Sequence, residues 1–195
     1  MVDEENMSYR EMRNLYVAGI DGIDIGMEQT STETKDPSDF CIVIKKRVFG
    51  TQEPMYVAYY RDRPQDEREA YRTAMQLMMY YNCRCNIEAT RLSMFNWAKN
   101  AGWVDYFMKR PRATYPEASK KIGSAYGTPA TKAVIAHQTD LIANFVEDYS
   151  QNIWFPEMLN ELITYSDENK RKFDIVAAMG GLIHAHVKFR KIGED

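Results

Sequence analysis

The sequence has few of the residues that build metal-bound or disulfide-linked scaffolds. Of its 195 residues three are cysteines, Cys41, Cys83 and Cys85, and the last two form C-x-C rather than C-x-x-C. Because zinc sites usually carry paired ligands at a characteristic spacing, we expect reduced thiols, as in a cytosolic protein. Histidine is equally scarce, and His184 and His186 stand two residues apart. On a helix this spacing points them about 200° apart, away from a shared metal ion.

The sequence also lacks the segments that mark several other classes of protein. No run reaches the roughly 18 apolar residues that a membrane-spanning helix needs, and the acidic opening MVDEENMSYR differs from a signal peptide. The segment GSAYGTPATK has glycines but not the spacing of a P-loop, so ATP hydrolysis is not expected. We therefore expect a soluble protein that does not associate with a membrane.

The composition is sufficient for one full hydrophobic core. Hydrophobic residues make up 45% of the chain and aromatic residues 12%, and the length suits a single domain. The polar residues 1–14 are interpreted as an arm or the remnant of a linker. Residues 15–188 then form the domain, and residues 189–195 a C-terminal tail.

The net charge of −3 conceals an uneven distribution. Residues 1–40 hold ten acidic and three basic residues, whereas residues 91–132 hold eight basic and two acidic ones. A basic stretch suits a polyanion and an acidic one suits a metal ion, although a solvated loop fits the composition equally well. The basic residues that would contact such a polyanion are Lys109, Arg110, Arg112, Lys120, Lys121 and Lys132.

The hydrophobic pattern predicts an α/β protein. Every residue from Leu15 to Ile20 is apolar or glycine, which is typical of a central strand covered on both faces. Two strands, a helix with an acidic first turn, a short strand ending at Glu88, a helix ended by glycine and another short strand follow. These segments are, in order, DFCIVIKKRVF, MYVAYYR, RPQDEREAYRTAMQLMMYYN, CRCNIEA, RLSMFNWAKNAG and DYFMKR.

Three helices are predicted in the last third of the chain. Thr128 followed by Pro129 predicts a helix start, with an N-cap and then proline at the first helical position. Because the first helix can return the chain parallel to the first strand, a mixed sheet between helices is the simplest architecture. The three helical segments are ATKAVIAHQTDLIANFVEDYS, FPEMLNELITYS and KFDIVAAMGGLIHAHVKF.

Three acidic residues stand at the ends of predicted elements. Asp21 follows the first strand, Glu88 follows the strand after the crossover helix, and Asp174 lies in the first turn of the last helix. If the two strands are parallel neighbours, Asp21 and Glu88 lie side by side, and a divalent cation such as Mg²⁺ or Mn²⁺ would keep both ionised. Taken singly, Glu88 also fits an exposed surface residue, and Asp174 a charge favoured at a helix N-terminus.

YVAGIDGIDIG, YYNCRCNIEAT, GTPATK and KFDIVAAMGGLIHAH occur in this order along the chain. Together they resemble the nuclease domain of the large terminase subunits, the genome-packaging proteins of tailed bacteriophages. The first segment is similar to the family's strand with its metal-binding aspartate, and the second to the strand carrying the acidic second ligand. The third is similar to the opening of the next helix, and the fourth to the final aspartate and its helix. The resemblance implies an RNase H-like mixed five-stranded sheet flanked by helices on both faces.

The resemblance also implies a catalytic metal site. Asp21, Glu88 and Asp174 would hold two Mg²⁺ or Mn²⁺ ions for phosphodiester hydrolysis, with Asp21 bridging both ions. Family members usually have a proline or similar residue after the first aspartate and then another aspartate. Gly22 and Asp24 occupy this region here, so Asp24 is either a further ligand or a residue that shapes the turn.

By the same resemblance the chain is the nuclease half of a terminase without its ATPase motor, acting in the cytoplasm of the infected bacterial host. Its expected partners are double-stranded DNA, the terminase ATPase domain, the small terminase subunit and the portal protein. Two other functions fit the sequence. One is another RNase H-like nuclease, such as a Holliday-junction resolvase or a ribonuclease. The other is a non-catalytic DNA-docking module whose carboxylates only stabilise the fold.

Overall fold

The elements follow the predicted order in a computed structural model that describes residues 15–23, 38–110, 125–166 and 173–182. The apolar runs form strands, and the segments with helical periodicity form helices. The elements are β1 (Tyr16–Asp21), β2 (Phe40–Lys46), β3 (Met55–Asp62), α1 (Glu67–Tyr80), β4 (Arg84–Ile87), α2 (Ser93–Asn100), α3 (Lys132–Tyr149), α4 (Pro156–Thr164) and α5 (Asp174–Gly180).

The described strands form one mixed sheet in the order β3-β2-β1-β4. β1, β2 and β3 are an antiparallel meander, whereas β4 lies parallel to β1. Helix α1 makes the crossover between β3 and β4, with Asp66 as its N-cap, and Asn82 ends it with a positive φ of 45°. The predicted meander, crossover and parallel pairing are therefore confirmed.

Helices cover both faces of this sheet, because successive strand residues point to opposite sides. On one side Ala18, Ile42 and Ile44 pack in a core with residues of α1 and α2. On the other side Val17 and Val43 pack with residues of α3, α4 and α5. The prediction of helices on both faces is confirmed. Within the described ranges no helix is long and apolar enough to cross a membrane.

The segment DYFMKR does not form the predicted short strand. Val104–Tyr106 is a 3₁₀ turn, and it takes up the first part of the segment. The rest of the segment forms two isolated bridges. Phe107 pairs with Cys85 in parallel, and Lys109 pairs with Tyr126 in antiparallel orientation. Since each is an isolated bridge, the described residues contain four strands rather than the expected five.

The third predicted helix begins later than Thr128 and Pro129 indicated. Helix α3 starts at Lys132, and Thr131 is its N-cap, whose hydroxyl accepts from the Val134 N–H. The Thr128 N–H instead donates to the Ile87 carbonyl at 2.8 Å. Thr128 therefore extends the pairing beyond β4, and its hydroxyl is hydrogen-bonded to the Asn86 side chain instead of capping the helix.

Helix α5 lies unusually close to β1 because glycine is present on both sides of the contact. The Cα of Gly19 is 3.2 Å from the position that a Cβ on Gly181 would occupy. A Cβ on Gly19 would lie 2.1 Å from the Ala178 carbonyl oxygen, which belongs to the helix backbone. The absence of side chains at these two positions therefore sets the distance between the helix and the central strand.

We predict that Gly19→Ala lowers the free energy of unfolding by about 1–3 kcal/mol, the usual cost of overpacking a core. The helix backbone must move, because no flexible side chain can yield. Gly22→Ala is the matched control, since the nearest atoms to its new Cβ, in Arg91, are 3.5 Å away. Chemical denaturation measures both variants, and equal stability would contradict the close contact.

Candidate functional site

The ends of β1 and β4 bring two of the three predicted carboxylates together. Ile20 pairs with Ile87 in the parallel register, so Asp21 and Glu88 occupy the next position on neighbouring strands. Ile20 and Ile87 belong to the core under α1 and α2. Since side chains alternate along a strand, Asp21 and Glu88 project towards the opposite face, which α5 covers.

The third carboxylate reaches the same place from α5. Asp174 is the first residue of this helix and lies between the buried residues Phe173 and Ile175. Its Oδ1 accepts a hydrogen bond of 2.5 Å from the Ser38 hydroxyl. Because α5 packs directly on β1, its N-terminal end lies over the exit of that strand.

All three carboxylates line one cavity of about 440 Å³. Its wall also contains uncharged polar groups from Ser38 and Thr128. The structure thus brings together residues that are 67 and 86 positions apart along the chain. A group of acidic side chains in a concave, partly buried place is the usual setting for a reactive or metal-binding site.

Asp21 has the most strongly perturbed acidity of the three. Its side chain is only 8% exposed, and burial raises its pKa from 3.8 to about 7. The Arg91 guanidinium opposes this rise, whereas Asp174 and Glu88 add to it. A carboxylate in this environment remains ionised at neutral pH only with the help of a nearby cation.

Asp174 is also buried, and burial raises its pKa above the ordinary value of 3.8. The Ser38 hydroxyl and the Asp39 backbone N–H act in the opposite direction by donating to the carboxylate. Glu88 differs from both aspartates, because it is only half-buried and accepts a hydrogen bond from the Thr90 hydroxyl. The site therefore combines two buried carboxylates with one that solvent can reach.

A basic residue that the sequence analysis did not single out lies beside Asp21. The Arg91 Nη1 donates to Asp21 Oδ1 at 3.0 Å and to the Gly22 carbonyl at 2.5 Å. Arg91 lines the same cavity and is about one third exposed. The sequence did contain an indication of this position. Arg91 follows Glu88 by three residues, and a short turn there keeps the chain near the strand end.

Glu161 is a second residue that sequence reasoning missed. Its Oε2 accepts from the N–H groups of Ile175 and Val176 at 3.0 and 3.1 Å, and its Oε1 accepts from Arg61 at 2.7 Å. Glu161 therefore holds the first turn of α5, next to Asp174. The sequence indicated its burial, because Glu161 follows Met158 by three residues and so lies on the same, buried face of α4.

The donor atoms fit a hard divalent cation in type, because carboxylate oxygens are the ligands that Mg²⁺ and Mn²⁺ prefer. The negative charge around Asp21 fits a cation as well. In the described part of the chain, however, no three acidic, histidine or cysteine side chains are placed to bind one ion together. The three carboxylates are engaged instead with Arg91, Thr90 and Ser38.

The basic residues predicted to contact DNA have different environments. Lys109 and Lys132 are exposed. Arg110 is buried, and its guanidinium donates to the carbonyls of Gly127 and Tyr126 at 2.6 and 3.0 Å, so it supports the loop from within. Four other predicted site residues lie outside the described ranges. They are Asp24, Arg112, Lys120 and Lys121.

No protein-family model matches this chain, and no curated protein matches it. The geometry of the cavity is therefore the basis for assigning a function.

We predict that Glu161→Gln lowers the free energy of unfolding by about 1–3 kcal/mol, because the amide places an N–H group where backbone N–H groups or Arg61 need an acceptor. Glu157→Gln is the matched control. It makes the same change on the same helix at an exposed position, and we expect it to stay within about 0.5 kcal/mol of the wild type. Equal thermal stability of the two variants would contradict the structural role of Glu161.

Proposed function

We propose that the chain is a divalent-metal-dependent endonuclease that cleaves double-stranded DNA, equivalent to the nuclease domain of a large terminase subunit. One observation carries this proposal. Asp21, Glu88 and Asp174, which lie far apart in the sequence, line a single cavity at the carboxyl ends of two adjacent parallel strands. Ligands of α/β sheets commonly bind outside the carboxyl ends of strands.

The topology supports an RNase H-like fold for this proposal. Three antiparallel strands, a crossover helix and a strand parallel to the first are the opening of that fold as the resemblance implies it. The parallel bridge between Cys85 and Phe107 lies where a fifth strand would pair, on the far side of β4. We infer that this bridge is a shortened counterpart of the fifth strand.

In the proposed reaction Asp21, Glu88 and Asp174 hold two Mg²⁺ or Mn²⁺ ions. Bound metal ions supply a water of lowered pKa and stabilise the charge that develops on the leaving 3′ oxygen. Asp21 would be the ligand shared by both ions, since both other carboxylates act electrostatically on it. Ser38 and the Asp39 N–H orient the Asp174 carboxylate through their hydrogen bonds.

Two exposed lysines on segments that adjoin the cavity wall are the proposed contacts to the DNA backbone. Lys109 pairs with Tyr126 through a backbone bridge, and Lys132 begins α3. These two lysines flank the segment that contains Thr128 and Ala130, which line the cavity. Phosphate contacts of this kind provide affinity without reading sequence, which suits a nuclease that cuts packaged DNA.

The wider biological setting rests on the resemblance. In it the chain acts with the terminase ATPase domain, the small terminase subunit and the portal protein, in the cytoplasm of the infected bacterial host. The carboxylates and lysines described above would then cut DNA that the ATPase motor delivers.

We predict cleavage of supercoiled plasmid DNA in Mn²⁺ or Mg²⁺ and none in EDTA. Asp174→Asn and Glu88→Gln each keep the shape of the side chain and remove its charge. We expect each to lower the cleavage rate by about 100-fold or more, because replacing even an indirect metal partner typically costs 10- to 100-fold. Glu147→Gln, on the exposed surface of α3, is the matched control and should retain full activity.

Three outcomes would contradict this assignment. Full activity of Asp174→Asn and Glu88→Gln would remove the carboxylates from the reaction. Cleavage of four-way junctions or RNA–DNA hybrids but not of duplex DNA would favour another RNase H-like nuclease. Binding of DNA without cleavage of any nucleic acid would favour a docking module.

We further predict that Lys109→Ala combined with Lys132→Ala weakens binding to a short DNA duplex. Each phosphate contact that is lost should reduce the slope of log K against log salt by about one. Fluorescence anisotropy in EDTA measures binding without cleavage. Lys99→Ala is the control, since Lys99 is exposed on α2, which packs on the other face of the sheet. An unchanged salt slope in the double variant would remove these lysines from the DNA path.

A further inference from the structure

Arg91 lines the cavity and contacts the Asp21 carboxylate there. One nitrogen, Nη1, donates to both Asp21 Oδ1 and the Gly22 carbonyl. Both acceptors belong to the exit of β1, and the guanidinium remains one third exposed to solvent. This side chain can therefore leave Asp21 without disturbing the hydrophobic core.

The backbone keeps Arg91 close to a second carboxylate. The Arg91 N–H donates to the Glu88 carbonyl at 3.2 Å, which closes a turn directly after β4. The Arg91 backbone is thus fixed at the end of β4, and its guanidinium reaches Asp21 and Gly22 at the end of β1. A cation shared by these two carboxylates would lie in the same region.

The charge balance around Asp21 depends on this one contact. Arg91 forms an ion pair with Asp21, with its Nη1 3.0 Å from Oδ1, whereas the carboxylates of Asp174 and Glu88 line the same cavity. Asp174 differs, because Ser38 and the Asp39 N–H both stabilise its charge. Asp21 is therefore paired with a basic side chain that is about one third exposed to solvent.

We propose that Arg91 is the resident counterion of Asp21 and competes with the divalent cation for that carboxylate. This inference rests on the proposed metal site. A guanidinium and a divalent cation cannot both approach one carboxylate closely without repelling each other. Loading the site with metal then requires Arg91 to move away, so Arg91 sets the metal concentration at which the site becomes occupied.

The test compares Mn²⁺ binding by isothermal titration calorimetry at pH 8 in the wild type, Arg91→Gln and Arg91→Lys. Glutamine keeps a polar N–H group on a shorter side chain and removes the charge. We expect this variant to bind Mn²⁺ about tenfold more tightly. A neighbouring charge changes the ionisation constant of a carboxylate by about tenfold or more, and we expect an effect at the low end of that range. Lysine keeps the charge and should bind within about threefold of the wild type. Circular dichroism confirms that each variant is folded.

Each result decides the question. The competition is supported if Arg91→Gln binds Mn²⁺ more tightly than the wild type, or if Arg91→Gln binds Mn²⁺ and the wild type does not. Equal or weaker binding by Arg91→Gln, with a wild type that binds Mn²⁺, overturns it and leaves the proposed nuclease site intact. An absence of binding in all three proteins overturns both the competition and the metal site.

Discussion

The close packing of α5 on β1 is the constraint on which the candidate site depends. Gly19 and Gly181 let the helix backbone approach the central strand within the space that one methyl group would fill. The beginning of α5 therefore lies over the end of β1, and Asp174 comes to the same cavity as Asp21. Glu161 stabilises this arrangement from α4 by accepting hydrogen bonds from the first turn of α5. The packing and the chemistry of the site thus depend on the same contact.

Acidic side chains are grouped in this cavity and beside it, under the first turn of α5. Asp21, Asp174 and Glu161 are buried, and burial raises the pKa of each. Glu161 repays its burial through hydrogen bonds to α5 and Arg61, whereas Asp21 and Asp174 carry a desolvation cost and repel each other. An arrangement of this kind is typical of a functional site, where a bound cation offsets the cost. Arg91 supplies part of that offset within the chain itself.

Much of the fold was accessible from local patterns. The uncharged run that ends at Ile20 could only be a covered strand, and the acidic first turn of α1 identified its start. The failures occurred where long-range pairing overrode local preference. Thr128 has the chemistry of an N-cap, yet its backbone pairs with Ile87. The residues around Phe107 favour a strand, yet the preceding 3₁₀ turn takes up part of the segment, and Phe107 forms one isolated bridge with Cys85.

The sequence by itself determined the order of the elements from β1 to α2 and the positions of the carboxylates at element ends. These follow from periodicity and from the short-range chemistry of turns, which neighbouring residues specify. Only the tertiary structure decided that Arg91 contacts Asp21, that Glu161 holds α5, and that Arg110 is buried. Such contacts join residues far apart in the chain. Their existence depends on distances between packed elements, which no local pattern encodes.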